Sequence, residues 1–333
     1  MKINNFDIIS FFKRLLLLFL LIVVPFISYS QKTGKMNEPY HPFKSEKAKT
    51  KYLDYYDKRA ETWTVSSENK YIETTYGKTY LRISGSENKP PLVLLHGDSE
   101  NSLYWFRQIE EFSKHYRTYV IDNIYDNGCS IYYKDLKEPD DYVKYLDELF
   151  DSLELRNNIN LVGFSYGGWL TSIYALSHPE RLNKVVLISP SATVLQPRTG
   201  YLIRGISAHV FPCRYLAKKI VYYERNGLIA QGEKGRAIAD QMIEDLVLAG
   251  KCFKKRKFVR PTVLTDSDFQ NIKVPILFLV GENEVLYSAQ KAVKRIKHIP
   301  HVKAEIIPNA SHCITLSQYK ILNKKVLDFL QKK

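Results

Sequence analysis

The sequence predicts an α/β fold, with a mostly parallel central sheet flanked by helices and a helical cap inserted into it. Short, nearly continuous apolar runs alternate with helix-like segments, and an alternating hairpin precedes them. The alternation of apolar runs and helix-like segments stops between about residues 196 and 271 and then resumes. Continuous apolar runs are typical of strands that are buried on both faces of a parallel sheet. We therefore expect one sheet, opened by an antiparallel hairpin and interrupted by one insertion.

The hairpin is expected between residues 71 and 84, where Gly77 supplies a tight turn between two β-rich arms. The buried strands are expected at residues 92–95, 118–121, 159–162, 185–188, 276–280 and 304–307. The helices between them are expected near residues 102–115, 140–153 and 166–176.

The interruption is interpreted as a helical cap. Residues 213–226 and 233–249 have helix-like patterning, and the segment contains no convincing buried strand. Open α/β sheets bind ligands at the carboxyl ends of their strands, so an insertion of this kind is expected to cover that edge. The core therefore comprises residues 70–195 and 272–333, and we call residues 196–271 the cap.

The first thirty residues have the pattern of a secretory signal peptide. Lys13 and Arg14 precede thirteen uncharged residues, and Ser28 and Ser30 provide small side chains at alternate positions. Thirteen residues are fewer than the roughly 20 that a spanning helix needs. Export after cleavage near Ser30 is therefore favoured over an uncleaved N-terminal membrane anchor. Residues 31–69 are expected to form a tether and an N-terminal helix around residues 45–60.

The 333-residue chain carries a formal net charge of +14, and its densest basic run covers residues 251–260. Such a run could bind nucleic acid, anionic lipid or an acidic polymer. Because lysines are spread along the whole chain, a solvated face is the favoured interpretation. No nucleic-acid partner is expected, and a weak association with an anionic membrane or envelope surface stays open.

The four cysteines, Cys129, Cys213, Cys252 and Cys313, form no C-x-x-C pair and no zinc-like cluster. Export would permit disulfides, and Cys213 and Cys252 flank one helical region. These two could pair, but four cysteines allow three connectivities and the sequence does not choose among them. Free or buried thiols are an equal alternative to a disulfide.

Ser165 is the candidate nucleophile. It lies in Gly163-Phe164-Ser165-Tyr166-Gly167, directly after an apolar run and before a helix-like segment. A serine on a sharp strand-to-helix turn is held exposed, and small residues two positions away leave room for that turn. The pentapeptide alone is common, so this strand–turn–helix context carries the prediction.

A serine nucleophile needs a base and an orienting acid, which follow it in the order acid, then histidine. His312 is the candidate base, because it lies in the loop after the expected strand at residues 304–307. The loop after residues 276–280 offers Glu282 and Glu284. Glu284 lies deeper in this loop and is preferred as the acid, although Glu282 stays open. His96 is expected to shape the loop after its strand.

Two main-chain N–H groups are expected to stabilise the oxyanion. One belongs to Tyr166, which follows the nucleophile, and the other to Asp98, in the loop after residues 92–95. The Asp98 carboxylate should point away or contact a substrate group, because negative charge near an oxyanion opposes catalysis.

These residues resemble the α/β-hydrolase superfamily, and more narrowly its capped bacterial carboxylesterase-like members. Six motifs occur in the family's order: Pro90-Pro-Leu-Val-Leu-Leu-His-Gly97, Asp122 with Asn127-Gly-Cys-Ser130, Val162-Gly-Phe-Ser-Tyr-Gly-Gly-Trp169, His178-Pro-Glu-Arg181, Val280-Gly-Glu-Asn-Glu284 and Ile307-Pro-Asn-Ala-Ser-His312. The resemblance implies a cofactor-free serine hydrolase with Ser165, Glu284 and His312 as triad and Asp98 and Tyr166 at the oxyanion hole. The chain departs from the family pattern at Asp98, where many relatives have a non-acidic residue, and at Ser311, where glycine is usual.

The expected reaction is the hydrolysis of small carboxylic esters through an acyl-enzyme. An amidase, a peptidase or a C–C hydrolase could use the same triad. A non-catalytic binding protein with this fold is the alternative from another functional class.

Overall fold

The structure is a computed structural model that describes residue 36 and residues 38–332. The predicted signal peptide, residues 1–30, lies outside the described residues, as does most of the N-terminal part of the tether. The account below concerns the compact unit that begins at Pro39.

Nine strands of this unit form one mixed sheet. They are β1 (Glu68–Thr74), β2 (Gly77–Ser84), β3 (Pro91–Leu95), β4 (Arg117–Ile121), β5 (Ile131–Tyr132), β6 (Ile159–Phe164), β7 (Leu182–Ile188), β8 (Ile276–Gly281) and β9 (Val302–Ile307). Their order is β1-β2-β4-β3-β6-β7-β8-β9, with β5 pairing on β2. The pairs made by β2 are antiparallel, and every pair from β4 to β9 is parallel. The predicted fold class is confirmed.

Burial follows the sequence pattern of the strands. Every residue of β6 and β8 is buried, because helices cover both faces of the parallel part of the sheet. In β1 the residues alternate between exposed and half-buried, as expected for an edge strand with one solvated face. Because the strands from β4 to β9 in the sheet order run parallel, their carboxyl ends lie at one edge of the sheet, where the loops that follow them meet.

The helices are α1 (Glu46–Ala60), α2 (Ile109–Ser113), α3 (Pro139–Ser152), α4 (Tyr166–Ser177), α5 (Thr199–Val210), α6 (Arg214–Glu224), α7 (Asn226–Ile229), α8 (Glu233–Cys252), α9 (Asp266–Asn271), α10 (Ala289–Ile296), α11 (Ile314–Ser317) and α12 (Tyr319–Gln331), with 3-10 turns at Ser102–Arg107 and Pro179–Arg181. Among residues 38–332, no helix is long and apolar enough to cross a bilayer.

Residues 102–115 differ from the single helix that their sequence suggests. A 3-10 turn, Ser102–Arg107, precedes the short helix α2. The side chains of Ser102, Leu103, Tyr104 and Trp105 are all buried, so this turn lacks the solvent-facing side of an amphipathic helix. Asp122 anchors its start by accepting the Ser102 N–H at 2.7 Å.

The cap, residues 196–271, contains α5 to α9 between β7 and β8. Helices α5 and α9 have no counterpart in the sequence prediction, whereas α6 and α8 fall on the two predicted segments. An isolated bridge joins Phe253, just after α8, to Phe43. The N-terminal helix α1 packs against α8, with the Tyr55 hydroxyl donating to Asp245. The cap is thus held to the body of the unit from the N-terminal side as well.

All four cysteines are free thiols. Cys213 is exposed and the other three are buried. The pairing of Cys213 with Cys252, which the sequence left open, does not form.

Candidate active site

Ser165 occupies the sharp turn between β6 and α4. Its backbone has φ 51° and ψ −115°, a conformation that costs energy for any residue except glycine. A Cβ on Gly163 would lie 2.1 Å from the Gly167 carbonyl oxygen, and one on Gly167 would lie 2.3 Å from the Leu95 oxygen. The flanking glycines are therefore required by close backbone contacts. They bring the start of α4 against the end of β3.

Three predicted side chains meet at this edge of the sheet. The Ser165 Oγ lies 2.9 Å from His312 Nε2, and His312 Nδ1 lies 3.0 Å from both carboxylate oxygens of Glu284. All three residues are buried. A proton can pass directly from the serine hydroxyl to the imidazole, and the carboxylate can stabilise the imidazolium that results.

Glu284, rather than Glu282, contacts the histidine. Its Oε1 also accepts the N–H groups of Val285 and Leu286 at 2.8 and 2.9 Å. Burial alone would raise the pKa of Glu284, but the charge of His312 and these hydrogen bonds outweigh it, so the net pKa is lowered. Glu282 instead accepts the Asn309 N–H at 3.0 Å and ties down the loop that leads to His312.

Asp98 and Tyr166 line the same cavity as Ser165 and His312. The Asp98 side chain is 42% exposed and accepts the Ser99 hydroxyl at 3.1 Å. The Tyr166 hydroxyl donates to the carbonyl of Val259 in the cap at 2.9 Å. The structure thus brings both predicted oxyanion residues to the site.

His96 is a buried loop residue with a defined tautomer. Its Nε2 accepts the Asn123 N–H at 3.0 Å, so the proton lies on Nδ1, which donates to the Gly97 carbonyl at 2.7 Å. Burial lowers the pKa of this histidine, which favours the neutral ring. His96 therefore fixes the loop that carries Asp98.

Ser191 is a site residue that the sequence reasoning missed. Its Oγ lies 3.1 Å from the Ser165 Oγ, and its N–H donates to the Ser165 carbonyl at 2.9 Å. Ser191 follows β7, the neighbour of β6, so only the strand order places it beside the nucleophile. No local motif marks it.

A cavity of about 340 Å³ lies above Ser165, between the core loops and the cap. Its wall is mostly apolar, with Phe106 and Leu316 from the core and Leu202, Ile206 and Phe258 from the cap. Its polar wall includes two residues that the sequence did not single out, Glu100 and Arg225. A pocket of this size and character suits a small organic ligand.

The basic run at residues 251–260 is not a uniformly solvated face, which corrects that part of the sequence interpretation. Arg256 is only 11% exposed and pairs with the buried Asp126 at 2.5 Å. It also donates to Asn127 Oδ1 at 3.0 Å. An ion pair with Asp126, which lies 130 residues away in sequence, therefore keeps Arg256 buried.

Comparisons with known proteins agree with this fold. Residues 90–203 match the α/β-hydrolase-fold family. Carboxylesterase YbfK of Bacillus subtilis is 30% identical over 288 residues, which cover 84% of this chain and 93% of that protein. The crystal structure of naproxen esterase, also from Bacillus subtilis, superposes with a TM-score of 0.78 at 27% identity and covers 86% of this chain and all of that one.

A crystal structure of the Bacillus subtilis carboxylesterase CesB (YbfK) gives a TM-score of 0.75 at 28% identity, over 86% of this chain and 99% of that one. The similarity covers most of both chains. The chain belongs to the α/β-hydrolase family and is a carboxylesterase-like ester hydrolase.

Proposed function

We propose that this chain is a serine carboxylesterase in which Ser165 is the nucleophile, His312 the general base and Glu284 the acid that orients the base. The observation that carries the proposal is the continuous hydrogen-bonded path from the Ser165 hydroxyl through His312 to Glu284, at the floor of a cavity. No metal or organic cofactor takes part in the proposed reaction.

The reaction has two steps. His312 Nε2 takes the Ser165 proton as Oγ attacks the ester carbonyl, and the N–H groups of Asp98 and Tyr166 donate to the oxyanion. The protonated histidine then gives its proton to the leaving alcohol, which leaves an acyl group on Ser165. Water attacks this acyl-enzyme with His312 again as the base, and the acid is released.

The cavity favours a small carboxylic ester with an apolar acyl or alcohol group. Its volume of about 340 Å³ is at the lower end for drug-sized ligands. Its aromatic and aliphatic wall would stabilise such a group by removing it from water. Because the cap supplies Leu202, Ile206 and Phe258 to this wall, the cap is expected to set the preference among esters.

Labelling with a fluorophosphonate probe tests the proposal, because the probe reports an activated serine without requiring the true substrate. We expect the wild type to label, and Ser165→Ala and His312→Ala to lose labelling and hydrolysis of a short p-nitrophenyl ester. A folded wild-type chain that neither labels nor hydrolyses esters would contradict the proposal and favour a binding protein. Cleavage of amides at a rate comparable with that of esters would favour an amidase.

We further propose that the chain is exported after cleavage near Ser30. The support is the basic start and the short apolar segment of residues 1–30. The N-terminal mass of the protein recovered from its native host tests this directly. A mature chain that begins at Gln31 supports export, whereas an intact Met1 terminus in the membrane fraction supports an N-terminal anchor.

A weak association with anionic membrane surfaces is also proposed, and the cap supports it. Helix α5 exposes Ile203 and Ile206, each 58% accessible, and Phe211 and Tyr215 follow at 61% and 68%. The sequence has no acidic residue between Arg198 and Glu224. Co-sedimentation with vesicles that contain phosphatidylglycerol, and weaker co-sedimentation at high salt or with pure phosphatidylcholine, would support this surface. Equal recovery from both vesicle types would exclude it.

A further inference from the structure

The loop from Gly97 to Glu100 carries Asp98, whose N–H we propose as an oxyanion donor, and the following inference rests on that proposed function. The N–H groups on both sides of Asp98 are held by carboxylates. The Gly97 N–H donates to Glu100 Oε2 at 3.1 Å, and the Ser99 N–H donates to Asp126 Oδ1 at 3.0 Å. Ser99 has a φ of 61°, so its backbone needs such restraint to stay in place.

Both carboxylates are removed from water. The side chains of Glu100 and Asp126 are 10% and 4% exposed. Burial raises the pKa of Glu100 to about 7, and it raises the pKa of Asp126 well above its ordinary value. A buried carboxylate is strongly unfavourable unless a cation and hydrogen bonds compensate its charge. Each of these two groups therefore depends on a positive partner.

Both partners come from the cap. Arg225, between α6 and α7, pairs with Glu100 at 2.8 Å, and Arg256, just after α8, pairs with Asp126 at 2.5 Å. The two arginine side chains are only 8% and 11% exposed. Arg225 also pairs with Glu224. Since protein carboxylates already neutralise both guanidinium groups, neither is available to bind an acidic substrate.

We propose that Arg225 and Arg256 are positioning residues that couple the cap to the oxyanion hole. Each arginine pairs with its carboxylate and holds it in place, and the two carboxylates fix the peptide groups on either side of Asp98. The cap thereby sets the position of the Asp98 N–H, in addition to forming the wall of the cavity. Loss of either arginine releases one side of this loop while Ser165, His312 and Glu284 remain in contact.

The test compares Arg225→Gln, Arg256→Gln and the corresponding lysine variants with Arg236→Gln, a change at an exposed arginine of α8. Active sites are first counted with the fluorophosphonate probe, so that each kcat refers to competent enzyme. We expect kcat per active site to fall about 10- to 100-fold in each glutamine variant, with KM changed less than about threefold. Outright loss of one oxyanion donor costs about 10²- to 10³-fold in kcat, and these variants displace the Asp98 N–H without removing it. Lysine should restore part of the rate, and Arg236→Gln should match the wild type.

A trifluoromethyl ketone provides the second readout. Ser165 Oγ adds to its carbonyl, and the resulting hemiketal oxyanion occupies the proposed hole. Its inhibition constant should rise in proportion to the loss of kcat/KM in the glutamine variants. If loss of an arginine prevents folding, the isosteric Glu100→Gln should show the same proportional loss, since it removes the charge that Arg225 pairs with.

An unchanged kcat per active site, or an unchanged inhibition constant, would overturn the coupling and leave a purely structural role for the arginines. This failure is distinct from failure of the proposed function, in which the wild type itself would neither label nor hydrolyse esters.

Discussion

Replacing Glu284 with glutamine keeps the size of this side chain and removes its charge. The consequence depends on which way the new amide points. The N–H groups of Val285 and Leu286 both donate to Oε1, at 2.8 and 2.9 Å. An oxygen is therefore favoured at that position, and the NH₂ group takes the place of Oε2, 3.0 Å from His312 Nδ1.

The amide oxygen that remains is also 3.0 Å from Nδ1, but the N–H groups of Val285 and Leu286 already occupy its two lone pairs. The NH₂ group beside Nδ1 donates a hydrogen bond and so stabilises the tautomer with its proton on Nε2. That nitrogen faces the Ser165 Oγ at 2.9 Å and must be unprotonated to accept its proton. The equivalent aspartate-to-asparagine change in a serine protease lowers kcat about 10⁴-fold, or about 5.4 kcal/mol of transition-state stabilisation. We expect a loss of about 10³- to 10⁴-fold in Glu284→Gln.

The assay is the steady-state hydrolysis of a p-nitrophenyl ester with kcat and KM resolved, and thermal unfolding confirms that the variant is folded. Glu282→Gln is the matched control, because it makes the same change in the same loop at an exposed residue. Its amide oxygen can still accept the Asn309 N–H, so the variant should retain nearly full activity. A folded Glu284→Gln enzyme with more than a tenth of the wild-type kcat would refute the tautomer argument, as would an equal loss in Glu282→Gln.

Four further outcomes are expected. The pKa of Glu284 is lowered in the folded chain, so its charge stabilises the fold at any pH above the pKa of glutamate in the unfolded chain. This stabilisation is lost as the pH falls through the pKa of the folded chain. The difference in unfolding free energy between wild type and Glu284→Gln, measured by urea titration at a series of pH values, should therefore become smaller in acid. Ser191→Ala removes one hydrogen bond to the nucleophile and should lower kcat about two- to tenfold, and a loss as large as that of Ser165→Ala would be inconsistent with a supporting role. Gly167→Ala should lower the free energy of unfolding by about 3 kcal/mol or more, because its Cβ would clash with backbone atoms. Gly205→Ala has open space around it in α5 and should raise the free energy of unfolding by roughly 0.5–1 kcal/mol; calorimetry measures both changes. Cys213 should be the one thiol of the four that reacts quickly with a disulfide reagent in the native protein, with all four reacting in denaturant; three or more fast thiols would contradict the burial of the others.

The elements that the sequence predicts well are those whose signal is local. The apolar run before Ser165 becomes β6, which is buried along its whole length, and the Gly-x-Ser-x-Gly spacing corresponds to a backbone turn that only close-packed glycines permit. The loops that carry Glu284 and His312 follow from strand order in a parallel sheet, because all carboxyl ends meet at one edge.

Helix α5 escaped the prediction for a physical reason. Gly200 and Gly205 lower its helix propensity, and its Ile203 side chain is 58% accessible rather than buried.

The charge pairs could not be predicted at all. Glu100 and Arg225 are 125 residues apart, and Asp126 and Arg256 are 130 apart. Arg256 lies in a run with the exposed Lys255 and Lys257, and only the folded cap determines which of these side chains is buried. Ion pairs between residues so far apart in sequence depend on the tertiary structure, whereas the strands and the turn at Ser165 depend on neighbours in sequence.

The insertion point of the cap has a consequence for redesign. Strands β7 and β8 pair in unbroken parallel register from Val185 with Ile276 to Ile188 with Leu279, although the whole cap separates them in sequence. A cap from another member of the family could be spliced between these strands without altering the sheet. Such a graft would bring a new pocket wall, but it would also have to supply cations that meet Glu100 and Asp126. A chimera that lacks them would bind its ester and turn it over slowly.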